Sequence, residues 1–476
     1  MSQRFDLIVI GSGPAGQKAA LNAAKLGKRV ALIDRADSIG GVCIHTGTIP
    51  SKAIREAVLH LTGLNLRQVY GDNYAVKQDI TMQDLLYRAA HVVRTETEVT
   101  RNQMRRNHIE LFFGTASFVD ANTIRVTRPA DDGVDIAADF ILVAVGTEPA
   151  RPMTVPFTPD RVIDSTELLS MTHLPKSMTI VGGGVIGVEY ACMMSAVGVK
   201  VTLVESRPKL LEFIDDEFIE ALQFRLRDGG VRLRLGESVA SIEITKDGVD
   251  ATLASNKVIA SEMLLYCIGR QGATAGLNLE KAGLSADTRG RLKVNDYYQT
   301  AVAHIYAAGD VIGFPALAAT SMEQGRLAAS HMFHHYTEQT SPLYPYGIYT
   351  IPELSLVGQT EQQLTAAGIP YEVGIARYRE IARGQLIADP NGLLKLLFHP
   401  KSRRLLGVHT FGTGATELVH IGQAVMASGM PIDYFIDTVF NYPTLAECYK
   451  VAALDGLNRL REHYTDSSSI PLEIAA

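Results

Sequence analysis

Two glycine-rich turns carry the clearest chemical signal in this chain. The first reads Leu7-Ile-Val-Ile-Gly11-Ser-Gly13-Pro-Ala-Gly16 and the second Met178-Thr-Ile-Val-Gly182-Gly-Gly184-Val-Ile-Gly187. Each follows an apolar β-type run and opens a helix-type stretch. Eighteen residues beyond each third glycine, a second β-type run ends on an acid: Asp34 in the first copy, Glu205 in the second. The chemistry dictates these residue types. The first glycine permits a tight strand-to-helix turn, the second lets backbone approach a pyrophosphate, and the third lets helix and strand pack closely. The phosphates then meet free N–H groups and the positive end of the helix dipole. The acid accepts hydrogen bonds from an adenosine ribose. One such turn is weak evidence. Two turns, each between a strand and a helix and each with its acid, make chance a poor account.

A third stretch, Ile39-Gly-Gly41-Val-Cys43-Ile-His-Thr-Gly-Thr48-Ile-Pro-Ser-Lys52, sets a thiol, a hydroxyl and an amine close together. A threonine hydroxyl cannot form a disulfide, and it does not ionise near neutral pH to a soft nucleophile. The other cysteines, Cys192, Cys267 and Cys448, lie far apart. No pair has metal-ligand spacing and no secreted disulfide framework is suggested, so they read as buried small hydrophobes. No metal centre is expected. His331, His334 and His335 have helical ligand spacing, but no acid or cysteine completes a site nearby in sequence, and they read as a solvated helix end. His409 and His420 read as packed residues rather than catalysts.

The elements that must position these groups fit within 476 residues, enough for two to four domains. A hydrophobic content of 46%, with 20% charged residues, is that of a globular protein with a full core. The net charge of −6 gives no basic footprint for nucleic acid. The chain runs from Met-Ser-Gln-Arg straight into Phe5-Asp-Leu-Ile-Val-Ile10, without the basic and apolar regions of a signal peptide. No apolar run approaches membrane-spanning length. A cytoplasmic protein without a membrane partner is expected, with residues 467–476 as a loose tail.

Taken together, these stretches resemble the flavin disulfide reductases, in the right order and over essentially the whole chain. In that family residues like 39–52 carry two cysteines separated by four residues, which form a redox-active disulfide beside the flavin. Cys43 matches the first and Thr48 stands at the second, so thiol–disulfide chemistry is excluded here. The resemblance implies FAD at the first glycine unit and a nicotinamide nucleotide at the second. Thr300-Ala-Val-Ala-His-Ile-Tyr-Ala-Ala-Gly309-Asp310 resembles the second FAD fingerprint, where a strand end delivers an aspartate to the ribityl chain. Leu142-Val-Ala-Val-Gly146 and Cys267-Ile-Gly269-Arg270 resemble the two crossover segments between domains. Gly41, Ala116, Leu317 and Ala318 fall at further FAD positions. Lys52 matches a lysine near flavin N5, and Glu189 the glutamate that pairs with it. In Phe440-Asn-Tyr442-Pro-Thr444-Leu-Ala-Glu447, Tyr442 replaces the family's proton-shuttling histidine, while Glu447 matches that histidine's partner. With a reference pKa of about 10, tyrosine is a poor proton shuttle near pH 7.

The fold so implied is α/β, with two Rossmann-like dinucleotide-binding domains, for FAD and for NAD(P), and a C-terminal α+β dimerisation domain. Residues 1–150 would form the first part of the FAD-binding domain, 151–275 the NAD(P)-binding domain, 276–345 a central segment completing the FAD site, and 346–476 the dimerisation domain of a homodimer or higher homo-oligomer. In the last region the residues themselves point to strands at Gly392–Phe398 and Leu405–Phe411, followed by two helices. Glu205 favours NAD(H), because it repels a 2′-phosphate. Arg207 and Lys209 beside it are either a grip for that phosphate or ordinary surface charges. The mixture permits both NAD(H) and NADP(H).

Thiol machinery is missing at two sites far apart in sequence, Thr48 and Tyr442. Within the family, Cys-x-x-x-Gly-Thr-Ile-Pro-Ser-Lys together with Phe-Asn-Tyr-Pro-Thr is similar to the soluble pyridine nucleotide transhydrogenases. That resemblance implies NADPH + NAD⁺ ⇌ NADP⁺ + NADH, with FAD as intermediary and one nicotinamide site used in turn. Two other uses stay open at this point: NAD(P)H-dependent reduction of a quinone or another diffusible acceptor, and a catalytically silent flavin or nucleotide sensor.

Overall fold

The strand Gln3–Ile10 organises the first half of the structure. Leu7, Ile8 and Val9 are wholly buried on both faces, as befits a central parallel strand. It pairs in parallel with Val30–Asp34 on one side, Leu7 opposite Val30, and with Val134–Val143 on the other, Phe5 opposite Ala138. Glu110–Phe113 extends the sheet beyond Val30–Asp34, and Ile305–Ala307 lies parallel to the C-terminal end of Val134–Val143. The other half of Val134–Val143 leaves this parallel core and pairs antiparallel with Thr123–Thr127, itself antiparallel to Thr115–Phe118.

The computed structural model describes residues 3–35, 39–71, 74–128, 133–335 and 343–465. The expected loose tail lies outside them. The chain divides into two units, one of Met1–Ala57, Thr81–Leu174 and Leu265–Gln339, the other of Val58–Ile80, Pro175–Leu264 and Thr340–Ala476. The sheet above belongs to the first unit. Its helix Pro14–Lys25 buries Ala15, Ala19, Ala20 and Ala23. These small residues let the helix Ala318–Met332 approach so closely that a Cβ on Gly325 would stand 2.0 Å from the Ala15 carbonyl oxygen. A two-stranded antiparallel ribbon, Thr147–Pro149 with Arg270–Gly272, completes the unit.

In the second unit Ser177–Val181 is parallel to Lys200–Glu205, and that strand to Arg232–Leu235. A three-stranded antiparallel sheet, Val239–Ile244, Val249–Leu253 and Val258–Ser261, stands beside them in sequence. The C-terminal region is a five-stranded antiparallel sheet in the order Tyr346–Ile348, Leu354–Gly358, Leu405–Phe411, Leu393–Phe398, Glu372–Arg377. The strands expected at 392–398 and 405–411 are present, and the helices Ala415–Ser428 and Glu447–Thr465 follow them. Gly374 and Gly456 bring the last helix onto the sheet; a Cβ on Gly374 would meet the Ala452 carbonyl oxygen at 2.0 Å.

Lys395 lies fully buried in this unit, on the strand Leu393–Phe398. Its ammonium bonds Asp215 and Glu217 at 3.0 Å each, and Glu361 as well. Burial alone would depress its pKa, but these three carboxylates raise it above the ordinary lysine value. Asp215, Glu217 and Glu361 are the acidic trio whose oxygens lie close enough together for a cation, and the Lys395 ammonium supplies the positive charge there. His409, opposite Lys395 in the sheet, is packed as expected, with Nε2 2.9 Å from the Gln359 carbonyl oxygen. His420 is not packed: it is exposed, its Nδ1 2.8 Å from Gln423. His334 and His335 are exposed, but His331 is not a solvated helix end. Its Nδ1 pairs with the Tyr306 hydroxyl at 2.8 Å, and its ring stacks on Tyr297 at 4.5 Å.

Candidate functional site

The first glycine turn stands at the C-terminal edge of the parallel sheet, where Gln3–Ile10 gives way to the helix Pro14–Lys25. Gly11 has φ +104°, and a Cβ there would meet the Ala144 carbonyl oxygen at 2.4 Å. A Cβ on Gly16 would stand 1.9 Å from the Gly11 carbonyl oxygen. Above Gly13, by contrast, nothing lies within 4 Å. The turn is thus closed where helix meets strand and open at the helix N-terminus, where no side chain caps the free N–H groups. Phosphate oxygens fit that opening. The second turn repeats the pattern: Gly182 has φ +111°, a Cβ on Gly187 would stand 1.9 Å from the Gly182 carbonyl oxygen, and Gly184 has open space.

A cavity of about 580 Å³ opens from the first turn. The expected residues Gly11, Gly13, Asp34, Gly41, Cys43, Thr48, Ala116, Gly146, Gly309, Asp310 and Ala318 all line it. Gly16 lies beneath the turn, Leu317 caps the helix whose first residue is Ala318, and Lys52 stands one helical turn beyond Thr48. Asp34 ends its strand and accepts the Ser12 main-chain N–H at 3.0 Å and the Ser12 hydroxyl. The same hydroxyl accepts the Gly40 N–H at 2.8 Å. Gly41, at φ +58°, backs onto Gly13, whose Cα would be 2.9 Å from an added Cβ. On the far side the strand Ile305–Ala307 delivers Gly309, whose N–H donates to Gln324 at 2.8 Å, and then Asp310. The Asp310 carboxylate accepts the Thr147 and Ser321 hydroxyls at 3.3 and 3.4 Å. Ser12, Thr147, Ser321 and Gln324 were not singled out from sequence. Ser12 occupies a variable place in the glycine turn, and the others become neighbours only through the fold.

Cys43 sits in the short helix Gly41–His45, and Thr48 opens the helix Thr48–Thr62. Burial pushes the Cys43 thiol up, against the lowering influence of its hydrogen bond with Thr48 and of the Lys52 charge. It is one of four free cysteines; Cys192 and Cys448 are buried, as expected, whereas Cys267 and Cys43 are half-buried. The crossover glycines Gly146 and Gly269 have φ +67° and +82°. The Gly269 carbonyl accepts the Ala150 N–H at 3.2 Å, but Gly269 does not line the cavity.

In the second unit, Glu205 is 5% exposed and its carboxylate takes five donors: the N–H groups of Gly183 and Arg207, the Ser206 hydroxyl, and Nε and Nη2 of Arg207, the last two at 2.9 Å. Burial pushes this carboxyl up, but the Arg207 and Gly183 donors outweigh it and hold the group at about 2. Arg207 is paired with Glu205 in this structure, and its side chain is 42% exposed. Lys209 is paired with Asp216 at 2.7 Å. Glu189 is buried on the helix Val185–Ala196 and accepts the Tyr349 N–H at 2.9 Å. Tyr442 is 67% exposed, and Glu447 begins the helix Glu447–Thr465. Among the described residues no helix is long and apolar enough to cross a membrane.

A family model described as "Pyridine nucleotide-disulphide oxidoreductase" matches residues 5–325, and that of the corresponding dimerisation domain matches residues 344–453. The soluble pyridine nucleotide transhydrogenase of Mycobacterium tuberculosis is 55% identical over 460 residues, covering 96% of this chain and 98% of that protein. That of Yersinia enterocolitica is 48% identical over 465 residues, with the same coverage of 96% and 98%. Among solved structures, the HOCl-induced flavoprotein disulfide reductase RclA from Escherichia coli is similar with a TM-score of 0.85 at 28% identity, covering 94% of this chain and 99% of that one. The chain belongs to the pyridine nucleotide-disulphide oxidoreductase family.

Proposed function

We propose that this protein is an FAD-dependent soluble transhydrogenase that moves a hydride between NADPH and NAD⁺. The observation that carries the reading is the pairing of Cys43 with Thr48 at the point where the disulfide reductases that this chain resembles place a disulfide. A thiol whose pKa is raised and whose partner is a hydroxyl supplies neither a disulfide nor a ready thiolate. Electrons that arrive from one nicotinamide nucleotide then have a second nicotinamide nucleotide as acceptor. The flavin, when bound, supplies the two-electron relay.

The residues take the following parts. The open helix N-terminus at Gly11, Gly13 and Gly16 receives the FAD pyrophosphate, and Asp34, oriented by Ser12, receives the adenosine ribose. Asp310, presented by Gly309, receives the ribityl hydroxyls; Gly41, Ala116, Gly146, Leu317 and Ala318 shape the walls, and Cys43 and Thr48 pack beside the ring. Lys52 is the cation that stabilises developing negative charge beside the reacting ring. Glu189, fixed by the Tyr349 N–H, is the carboxylate of the nicotinamide side. Gly182, Gly184, Gly187 and Gly269 frame the nicotinamide nucleotide, and Glu205 with Arg207 reads its 2′-position. Residues 1–150 and 276–345 serve FAD, 151–275 the nicotinamide nucleotide, and 346–476 the dimer. Tyr442 and Glu447 belong to a homodimer contact in which proton shuttling has been given up. The protein works in the cytoplasm, with nucleotides rather than nucleic acids as ligands.

Anaerobic titration tests this. The purified protein should carry FAD, bleach with NADPH and recover its colour with NAD⁺, without a long-wavelength thiolate-to-flavin band. A stable charge-transfer band after one equivalent of NADPH would overturn the assignment. So would turnover of a quinone with no turnover of thio-NAD⁺.

A further inference from the structure

We infer that Arg270 is a positioning residue for FAD, acting through the hydroxyl of Thr147 on Asp310; this rests on the assignment of Asp310 to the flavin. The argument is one of hydrogen-bond polarity. Arg270 donates Nε–H to the Thr147 Oγ1 at 2.8 Å and Nη2–H to the Thr147 carbonyl oxygen at 2.7 Å. A guanidinium has no acceptor, so Thr147 Oγ1 must be the acceptor in the first of these bonds. The hydroxyl has a single hydrogen left to give. Its other partner is the Asp310 Oδ2, at 3.3 Å. Arg270 thereby decides which way the Thr147 hydrogen points, and it points at the carboxylate.

The surroundings make that direction matter. Thr147 is 7% exposed, and both Thr147 and Asp310 line the cavity of about 580 Å³. Burial lowers the Arg270 pKa, against the raising influence of the Asp310, Asp164 and Glu148 charges. Ser321 approaches the other oxygen of Asp310 at 3.4 Å. Two long hydroxyl contacts set the carboxylate plane from either side and leave acceptor capacity on both oxygens for a ligand's hydroxyl groups. The grip on Thr147 is the short part of the chain and the contact to Asp310 the long part. Without Arg270, the Thr147 hydroxyl is free to rotate away, and Asp310 loses an oriented donor.

The test is a double-mutant cycle on FAD retention by the holoenzyme, read as the FAD dissociation constant from flavin fluorescence on dilution. Thr147→Val keeps the side-chain shape and removes the hydroxyl; it should weaken FAD binding about 5- to 10-fold, within the range for one ordinary hydrogen bond, as befits a contact of 3.3 Å. Thr147→Ser keeps the hydroxyl and should restore most of that loss. Arg270→Met should weaken FAD by a similar factor in the wild-type background and by much less in the Thr147→Val background. An equal loss in both backgrounds would overturn the inference, because Arg270 would then merely brace the ribbon through the Thr147 carbonyl. So would full FAD affinity in Thr147→Val. Should Arg270→Met not fold, Arg270→Lys in the same two backgrounds gives the same comparison. A wild-type protein that holds no FAD would instead reject the function proposed above.

Discussion

Arg207→Ala should raise KM for NADP(H) while leaving NAD(H) nearly untouched, and the size of the effect follows from what Arg207 holds at rest. Its guanidinium gives two hydrogen bonds of 2.9 Å to Glu205. To grip a 2′-phosphate it must give these up. Bonds to an ionised group are worth ~1.5–3 kcal/mol each, but the Arg207 side chain is 42% exposed, and solvent cuts such a pair toward ~1 kcal/mol. A bidentate grip on phosphate less the lost pair nets ~1–2 kcal/mol, a factor of about 5 to 30 in KM. NADH offers no 2′-phosphate. After Arg207→Ala, Glu205 still has the Gly183 N–H, the Ser206 hydroxyl and its main-chain N–H partner at 207, and has room for ribose hydroxyls. Its KM should change less than about threefold. Glu205→Gln should act in the opposite sense: it removes repulsion toward the 2′-phosphate, releases Arg207 and weakens the ribose contact of NADH. Initial rates with thio-NAD⁺ as acceptor, run with NADPH and with NADH as donors, measure both. Equal changes for the two nucleotides would refute the idea that this pair reads the 2′-position.

Lys52→Met should slow both reduction by NADPH and reoxidation by NAD⁺ in stopped-flow traces, by on the order of 100-fold for the loss of ~3 kcal/mol of fixed positive charge; an unchanged rate in either half would remove the lysine from the chemistry. Cys43→Ser should keep most of the transhydrogenation rate, since no thiol step exists; its abolition with FAD still bound would give Cys43 a role. Lys395→Met should cost ~3–5 kcal/mol in urea unfolding at neutral pH, because it leaves Asp215, 1% exposed, without its buried counter-charge; a near-neutral result would show that Asp215 protonates or reaches water at little cost.

The glycine turns were legible because a tight turn leaves a local mark. Gly11, Gly13 and Gly16 are spaced by the geometry of one strand–helix junction, and Asp34 by the length of one helix. The same holds for Leu393–Phe398 and Leu405–Phe411, where apolar runs announce buried strands. What was hidden depends on partners distant in sequence. Thr147 and Arg270 are 123 residues apart. His331 looked solvated because its partners, Tyr306 and Tyr297, come from an earlier strand and loop that the helix meets only in the fold. Lys395, set among leucines, gave no sign of the three carboxylates that surround it. Arg207 shows a different limit: its nearness to Glu205 was plain, but spacing names neighbours without saying which one holds the charge.

The departure from disulfide chemistry is confined to very few atoms. Thr48 replaces a thiol, yet it still opens the helix that carries Lys52 one turn later, on the same face. Its hydroxyl takes Cys43 as a hydrogen-bond partner, and that bond by itself lowers the pKa of the remaining thiol. Burial outweighs that influence and leaves the thiol's pKa raised. At the other position stands Tyr442, and a phenol, with a reference pKa of about 10, is a poor proton shuttle near neutral pH. Both glycine turns are open at the helix N-terminus, with nothing within 4 Å of a Cβ on Gly13 or Gly184. Substitution at Thr48 alone would return a thiol to the cavity but not a proton carrier beside it, so Thr48→Cys is a poor route back to a disulfide reductase. The two losses belong together, because each removes the need for the other.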